Sequence, residues 1–118
     1  MRKDRAMFQC LRDSFAGIRE GWRRDIAIRR QLAFTGAAVI ILLAVGAPFG
    51  WTVASLALLM IGLAAELLNA AVEALLDRLH PGWDSAIGAA KDMASAAAFL
   101  VNTAAVVTTL CAVVVSLA

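Results

Sequence analysis

The sequence predicts an all-α membrane protein, with an amphipathic helix lying in the membrane interface followed by three transmembrane helices. Three observations carry this. Of the 118 residues, 62% are hydrophobic, where a soluble domain is usually closer to about half. Nine of the eleven Lys and Arg residues fall in the first thirty positions, while residues 32–63 carry no charge. Pro and Gly cluster in "GAPFGW" (46–51) and "HPGWDSAIG" (80–88), which cut the apolar part of the chain into three segments. There is no low-complexity tract or linker, so residues 1–118 are expected to form a single membrane domain.

Residues 4–30 read as one amphipathic helix. Phe8, Leu11, Phe15, Ile18, Trp22 and Ile26 recur at steps of three and four, with charges between them. An aromatic face opposite arginines suits a helix in the interface, and it is too charged to span. The charged region is too long for a signal peptide, and further apolar segments follow. Glu20/Arg24 and Asp25/Arg29 are i, i+4 pairs expected to form solvated ion pairs. The spans are expected at about 31–47, 52–79 and 89–117, to cross about 30 Å of hydrocarbon. Basic residues fill the arm, and Arg78 and Lys91 flank the 80–88 loop, whereas the 46–51 turn and the C-terminus have none. That asymmetry predicts a multi-pass membrane protein with the N-terminal arm and the 80–88 loop in the cytoplasm. A basic arm can also bind nucleic acid, but the membrane-embedded remainder argues against that partner.

Cys10 and Cys111 stand far apart without metal-ligand spacing, and His80 has no Cys or His beside it. Chemistry points instead to "AAELLNAAVEALLDRL" (64–79). At about 100° per residue, Glu66, Glu73 and Asp77 fall within about 40° of one another on a helix, with Asn69 about 60° to the side. If the hydrocarbon begins near Thr52, about 20 residues span it. Glu66 then lies roughly a turn and a half inside, Glu73 at the boundary and Asp77 among headgroups or water. Carboxylates at such depth are costly unless paired or wet, and they mark function. The competing reading is interhelical hydrogen bonding, which also leaves open a non-enzymatic membrane assembly protein.

The last helix offers partners. Lys91 and Ser95 are i, i+4, Asp92 is adjacent, and Asn102 continues their face. Asn102 and Thr103 are expected to serve helix–helix hydrogen bonding, and the alanines of 94–98 to allow close approach. Asp25, Glu66, Glu73, Asp77, Lys91, Asp92 and Ser95 therefore form the polar inventory near one boundary. Oxygen ligands plus a lysine suit Mg²⁺ and phosphate. Phosphoryl transfer needs such a set, with a base for the attacking hydroxyl.

"AELLNAAVEALLDRL" (65–79) followed by "AAKDMASAA" (89–97) resembles the prokaryotic diacylglycerol kinase family, small integral-membrane enzymes that also include undecaprenol kinases. The shared features are Glu-x-x-Asn-x-x-x-Glu-x-x-x-Asp-Arg and the Ala-Lys-Asp start of the last helix. The likeness covers nearly the whole chain, including the basic arm with Ser14, Gly17 and Trp22. It implies ATP- and Mg²⁺-dependent phosphorylation of the diacylglycerol primary hydroxyl to phosphatidic acid by a homotrimer with sites shared between subunits. The same reaction on undecaprenol is the alternative. By the resemblance, Glu66 is the catalytic base and Asn69 supports it. Glu73 and Asp25 bind the metal, and Lys91, Asp92 and Asp77 lie on the ATP side. Gly82, Trp83 and Asp84 lie near the nucleotide, while Ser14, Trp22 and Ser95 help to bind the lipid. The chain departs from the family pattern at Asp25, usually Glu, at Ile28, often Phe, and at Ala94, often Gly.

Overall fold

Asp25 interrupts what the periodicity predicts as one helix over 4–30. The structure, a computed structural model that describes residues 6–118, has four helices and no strand among the described residues. They are α1 (Met7–Arg24), α2 (Ile26–Ala44), α3 (Phe49–Leu79) and α4 (Ser85–Leu117). Arg2, Lys3 and Arg5 of the expected basic arm lie outside the described residues. Asp25 is extended, with φ −130° and ψ 121°. Its amide still donates to Gly21 O at 2.9 Å, closing α1. Its Oδ1 accepts from Ala27 N at 2.9 Å, opening α2. A short carboxylate satisfying one of the orphan amides of a first helical turn is what makes Asp a favoured cap. The break is invisible to hydrophobic periodicity because Ile26 stays in step with the preceding apolar positions. It also overturns the expected Asp25/Arg29 pair, since among the described residues Asp25 caps α2 instead. The first apolar helix consequently starts at Ile26, ahead of the expected 31.

The other boundaries have equally local causes. Gly46 takes φ +65°, which a side chain would strain. Its amide donates to Leu43 O at 3.2 Å, and that of Ala47 to Leu42 O at 3.0 Å. These are the two crossing bonds of a Schellman ending, and they stop α2 at Ala44, before the expected 47. Asp84 Oδ1 accepts from Ala86 N at 2.8 Å and Ile87 N at 3.2 Å. That cap starts α4 at Ser85, four residues before the expected 89.

Helices α2, α3 and α4 are each long and apolar enough to cross a membrane. With 31 and 33 residues, α3 and α4 run to about 46 and 50 Å, well beyond about 30 Å of hydrocarbon. They form the main packed pair, α2 leans on α3, and α1 touches α2 and α3 more lightly. The buried positions repeat every seven residues: Ala98, Ala105 and Ala112 on α4, and Ser55 and Gly62 on α3. On α2, Gln31 and Ala38 do the same, as do Ile28 and Leu42 over two repeats. A seven-residue repeat keeps one seam facing its neighbour in a left-handed crossing, and small residues let the backbones come close. Helix α1 buries no residue, and Phe8 and Phe15 are 73% and 71% exposed.

Candidate active site

The packing seam runs straight into the polar residues. On α3 the buried positions 55, 59 and 62 continue at alternating steps of four and three to Glu66, Asn69 and Glu73. On α4 the same spacing, read backwards from Ala105 and Ala98, passes through Asn102 to Ser95 and Lys91. Two helices that meet along an apolar seam at one end must therefore bring these polar groups face to face at the other.

Glu66 is the deepest carboxylate on that seam. Asn102 Nδ2 donates to Glu66 Oε1 at 3.1 Å, joining α3 to α4 across 36 residues of sequence. Gln31 of α2 is buried, and its Nε2 donates to Leu59 O at a long 3.4 Å. Both amides are admitted by Gly62. A Cβ there would collide with Asn102 Oδ1 and lie 2.8 Å from Gln31 Nε2. Beside this cluster opens a cleft of about 520 Å³. Phe34, Ile41, Val106 and Leu110 give it an apolar wall, Arg30 also lines it, and Glu66 and Asn102 are among its few polar groups.

A second cleft, of about 710 Å³, lies between α1 and α3. Glu20, Asp25, Glu73 and Asp77 line it together with Arg24. Gly21, also in its wall, lets α1 approach α3: a Cβ there would be 2.8 Å from Leu67 Cδ2. Arg24 and Arg23 both pair with Glu20, as the i, i+4 spacing of Glu20 and Arg24 predicts. The Arg24 hydrogen bond, followed by the Arg23 charge, holds the Glu20 carboxyl below its ordinary pKa. Lys91 pairs with Asp77 at the end of this cleft, tying the start of α4 to the last turns of α3. Glu66 of α3 lines the first cleft and Glu73 and Asp77 of the same helix line the second, so the two clefts are neighbours.

Among the described residues no group of three or more His, Cys, Asp or Glu forms a ready metal cage. Asp25 and Glu73 do line one cleft, and Asp25 spends only Oδ1 on capping α2. Two hard oxygen donors on one cleft fit Mg²⁺, which usually keeps waters and takes further ligands from phosphates.

The remaining predicted residues are more dispersed. Asp92 and Ser95 are exposed on α4, and Gly82 and Trp83 are exposed in the α3–α4 loop. Asp84 is engaged as the α4 cap. Ser14 Oγ donates to Cys10 O, within α1. Trp22 lines a different cleft, between α1 and α2, with Arg19 and Leu32. Asn69 belongs to the seam, and its Oδ1 is buried without a partner among the described residues.

The family model for prokaryotic diacylglycerol kinase matches residues 12–113. The chain belongs to the prokaryotic diacylglycerol kinase family. It is similar to the diacylglycerol kinases of Escherichia coli and Shigella flexneri, each 32% identical over 95 residues, covering 80% of this chain and 78% of the relative. Membership of a kinase family implies a phosphate donor such as ATP. One cleft is walled largely by apolar side chains and the other by four carboxylates with Arg24. Three participants escape sequence reasoning. Gln31 sits on an apolar helix 35 residues from Glu66, Gly62 stands in an uncharged run, and Glu20 is half of an apparent surface ion pair. The signal that could have found the first two is the seven-residue spacing of small and polar residues along α2 and α3.

Proposed function

We propose that the protein transfers the γ-phosphoryl group of ATP to the primary hydroxyl of diacylglycerol, giving phosphatidic acid at the cytoplasmic face of the bacterial inner membrane. The observation that carries this reading is that one helix, α3, serves both clefts. It presents Glu66 to the apolar cleft and Glu73 and Asp77 to the carboxylate cleft. A lipid hydroxyl and a water-soluble nucleotide need such adjacent, chemically different surroundings.

Glu66 takes the proton of the lipid hydroxyl as its oxygen bonds to the γ-phosphorus, and the bond to the bridging oxygen breaks to release ADP. Asn69 supports Glu66 from the next position of the seam. Lys91 turns from Asp77 toward the transferring phosphoryl group and meets the charge that develops there. Asp77 and Asp92 orient the nucleotide side, with Gly82, Trp83 and Asp84 at its edge. Asp25 and Glu73 would hold Mg²⁺, which supplies charge neutralisation on the phosphate oxygens. Ser95, Ser14 and Trp22 meet the lipid headgroup, the latter two from α1 lying in the interface. The exposed aromatic face of α1 supports that placement.

Three helices are too few to enclose both substrates, and Phe34, Phe99 and Leu100 remain more than two-thirds exposed at 68%, 69% and 67%. Together with the family resemblance, this supports a homotrimer whose neighbours complete each site. Mixed micelles containing ATP and either diacylglycerol or undecaprenol test the reading by labelled lipid phosphate. Transfer to diacylglycerol is expected. Transfer to undecaprenol alone moves the reaction to that lipid, and transfer to neither overturns the kinase assignment.

A further inference from the structure

The geometry points to Asn102, seated in the slot that Gly62 leaves open, as a positioning residue for the Glu66 carboxylate. The inference rests on the reading of Glu66 as the base. It starts from a difference among polar side chains on the spans. Thr35, Thr103, Thr109 and Ser116 all return their hydroxyls to the carbonyl four residues earlier in their own helix. Such groups satisfy themselves and orient nothing else. Asn102 lies between buried Ala98 and Ala105 on the seam, and its amide crosses to Glu66 on α3. Gly62 makes the crossing possible. Glycine inside a helix costs about 1 kcal/mol relative to alanine. Here an added methyl would occupy the space that Asn102 Oδ1 takes and crowd Gln31 Nε2.

The consequence is directional. A free carboxylate turns easily about its last torsion, which has broad wells. With Oε1 held by Asn102, the plane of the Glu66 carboxylate is set and Oε2 is left for a substrate proton. Misplacing a reacting group by about 1 Å can cost about 100-fold in rate. Asn102 touches no reacting atom in this scheme and acts only through Glu66.

The test uses the full-length protein in mixed micelles with ATP and diacylglycerol. Asn102→Leu keeps the branched shape and heavy-atom count of the side chain, suits the membrane and removes the donor. It is expected to lower kcat by about 10- to 100-fold while the KM values for both substrates stay within about twofold. Gly62→Ala should do the same, because its methyl displaces Asn102 from Glu66. Asn102→Ala with Gly62→Ala should be no slower than Asn102→Ala alone, since the methyl then fills vacated space. Additive losses would overturn the shared slot. Near-wild-type kcat in Asn102→Leu beside an inactive Glu66→Gln would overturn the clamp and leave the base standing. Full turnover in Glu66→Gln would remove the base and the clamp with it.

Discussion

Lys91 near the start of α4 is ion-paired with Asp77 in the last turns of α3, 14 residues earlier in sequence. Asp77 is 65% exposed and Lys91 34%, so the pair is held in solvent rather than in the seam. Exposed pairs contribute about 0–1 kcal/mol to stability. Lys91→Ala should therefore leave the unfolding midpoint nearly unchanged and still cut kcat by about 100-fold or more, through loss of charge at the transferring phosphoryl group. Asp77→Asn frees the lysine without removing it and should cost less. Thermal unfolding beside steady-state rates checks both, and a Lys91→Ala loss that tracks unfolding would make the pair merely structural.

Asp25 caps α2 through Oδ1 and also lines the carboxylate cleft with Glu73, so the cap and the proposed metal role are separable. Asparagine caps a helix as well as aspartate does, whereas alanine loses about 1 kcal/mol. Asp25→Asn should keep the fold and raise the Mg²⁺ concentration needed for half-maximal rate. Asp25→Ala should show the same metal dependence with an additional fall in stability. Equal metal dependence in Asp25→Asn and the parent protein would leave the residue a cap only.

Glu73 has no capping duty, so its substitution isolates the proposed metal role. Glu73→Gln keeps the volume and removes the charge. A large loss of rate at ordinary Mg²⁺, partly recovered at high Mg²⁺, is expected from a magnesium titration. An unchanged titration curve would exclude it as a ligand.

These cases show where the sequence was readable. The three apolar helices, the two turns and the acidic face of α3 all follow from local spacing and composition. The break at Asp25 does not, because it depends on a single side chain bonding a backbone amide two residues on. Periodicity is blind to that event when the apolar positions stay in step. The family resemblance gives Asp84 an expected place near the nucleotide, and the structure shows its carboxylate capping α4, which no sequence pattern announced. The Asn102–Glu66 contact spans 36 residues. Spacing within one helix places Asn102 on the Lys91 face, but the relative register of two helices is set by how Ala98, Ala105 and Ala112 meet Ser55, Leu59 and Gly62.

Gly21 holds α1 against α3 beside the carboxylate cleft. An added Cβ would lie 2.8 Å from Leu67 Cδ2 and 3.3 Å from Ile28 Cγ1. The Leu67 methyl is the end of a flexible side chain, so Gly21→Ala should be tolerated, helped by up to about 1 kcal/mol of helix propensity. Gly21→Leu cannot be accommodated that way and should push α1 off α3. The expected result is an ATP KM raised by about 10-fold, as the α1–α3 cleft is widened. An unchanged ATP KM would mean that α1 does not help to bind the nucleotide.

Ser55 is fully buried on the α3 seam, and its hydroxyl has no hydrogen-bond partner among the described residues. An unpartnered buried polar group costs about 1–3 kcal/mol. Its small size is nevertheless useful, since it occupies a seam position where α3 meets close-packed neighbours. The two properties predict opposite responses. Ser55→Ala removes the hydroxyl and keeps the size, so it should raise stability by about 1 kcal/mol. Ser55→Leu overfills the seam and should lower it by about 1–3 kcal/mol. Denaturant unfolding in one detergent, with activity as a second readout, distinguishes them. A destabilised Ser55→Ala would show that the hydroxyl is bonded in the membrane-embedded protein.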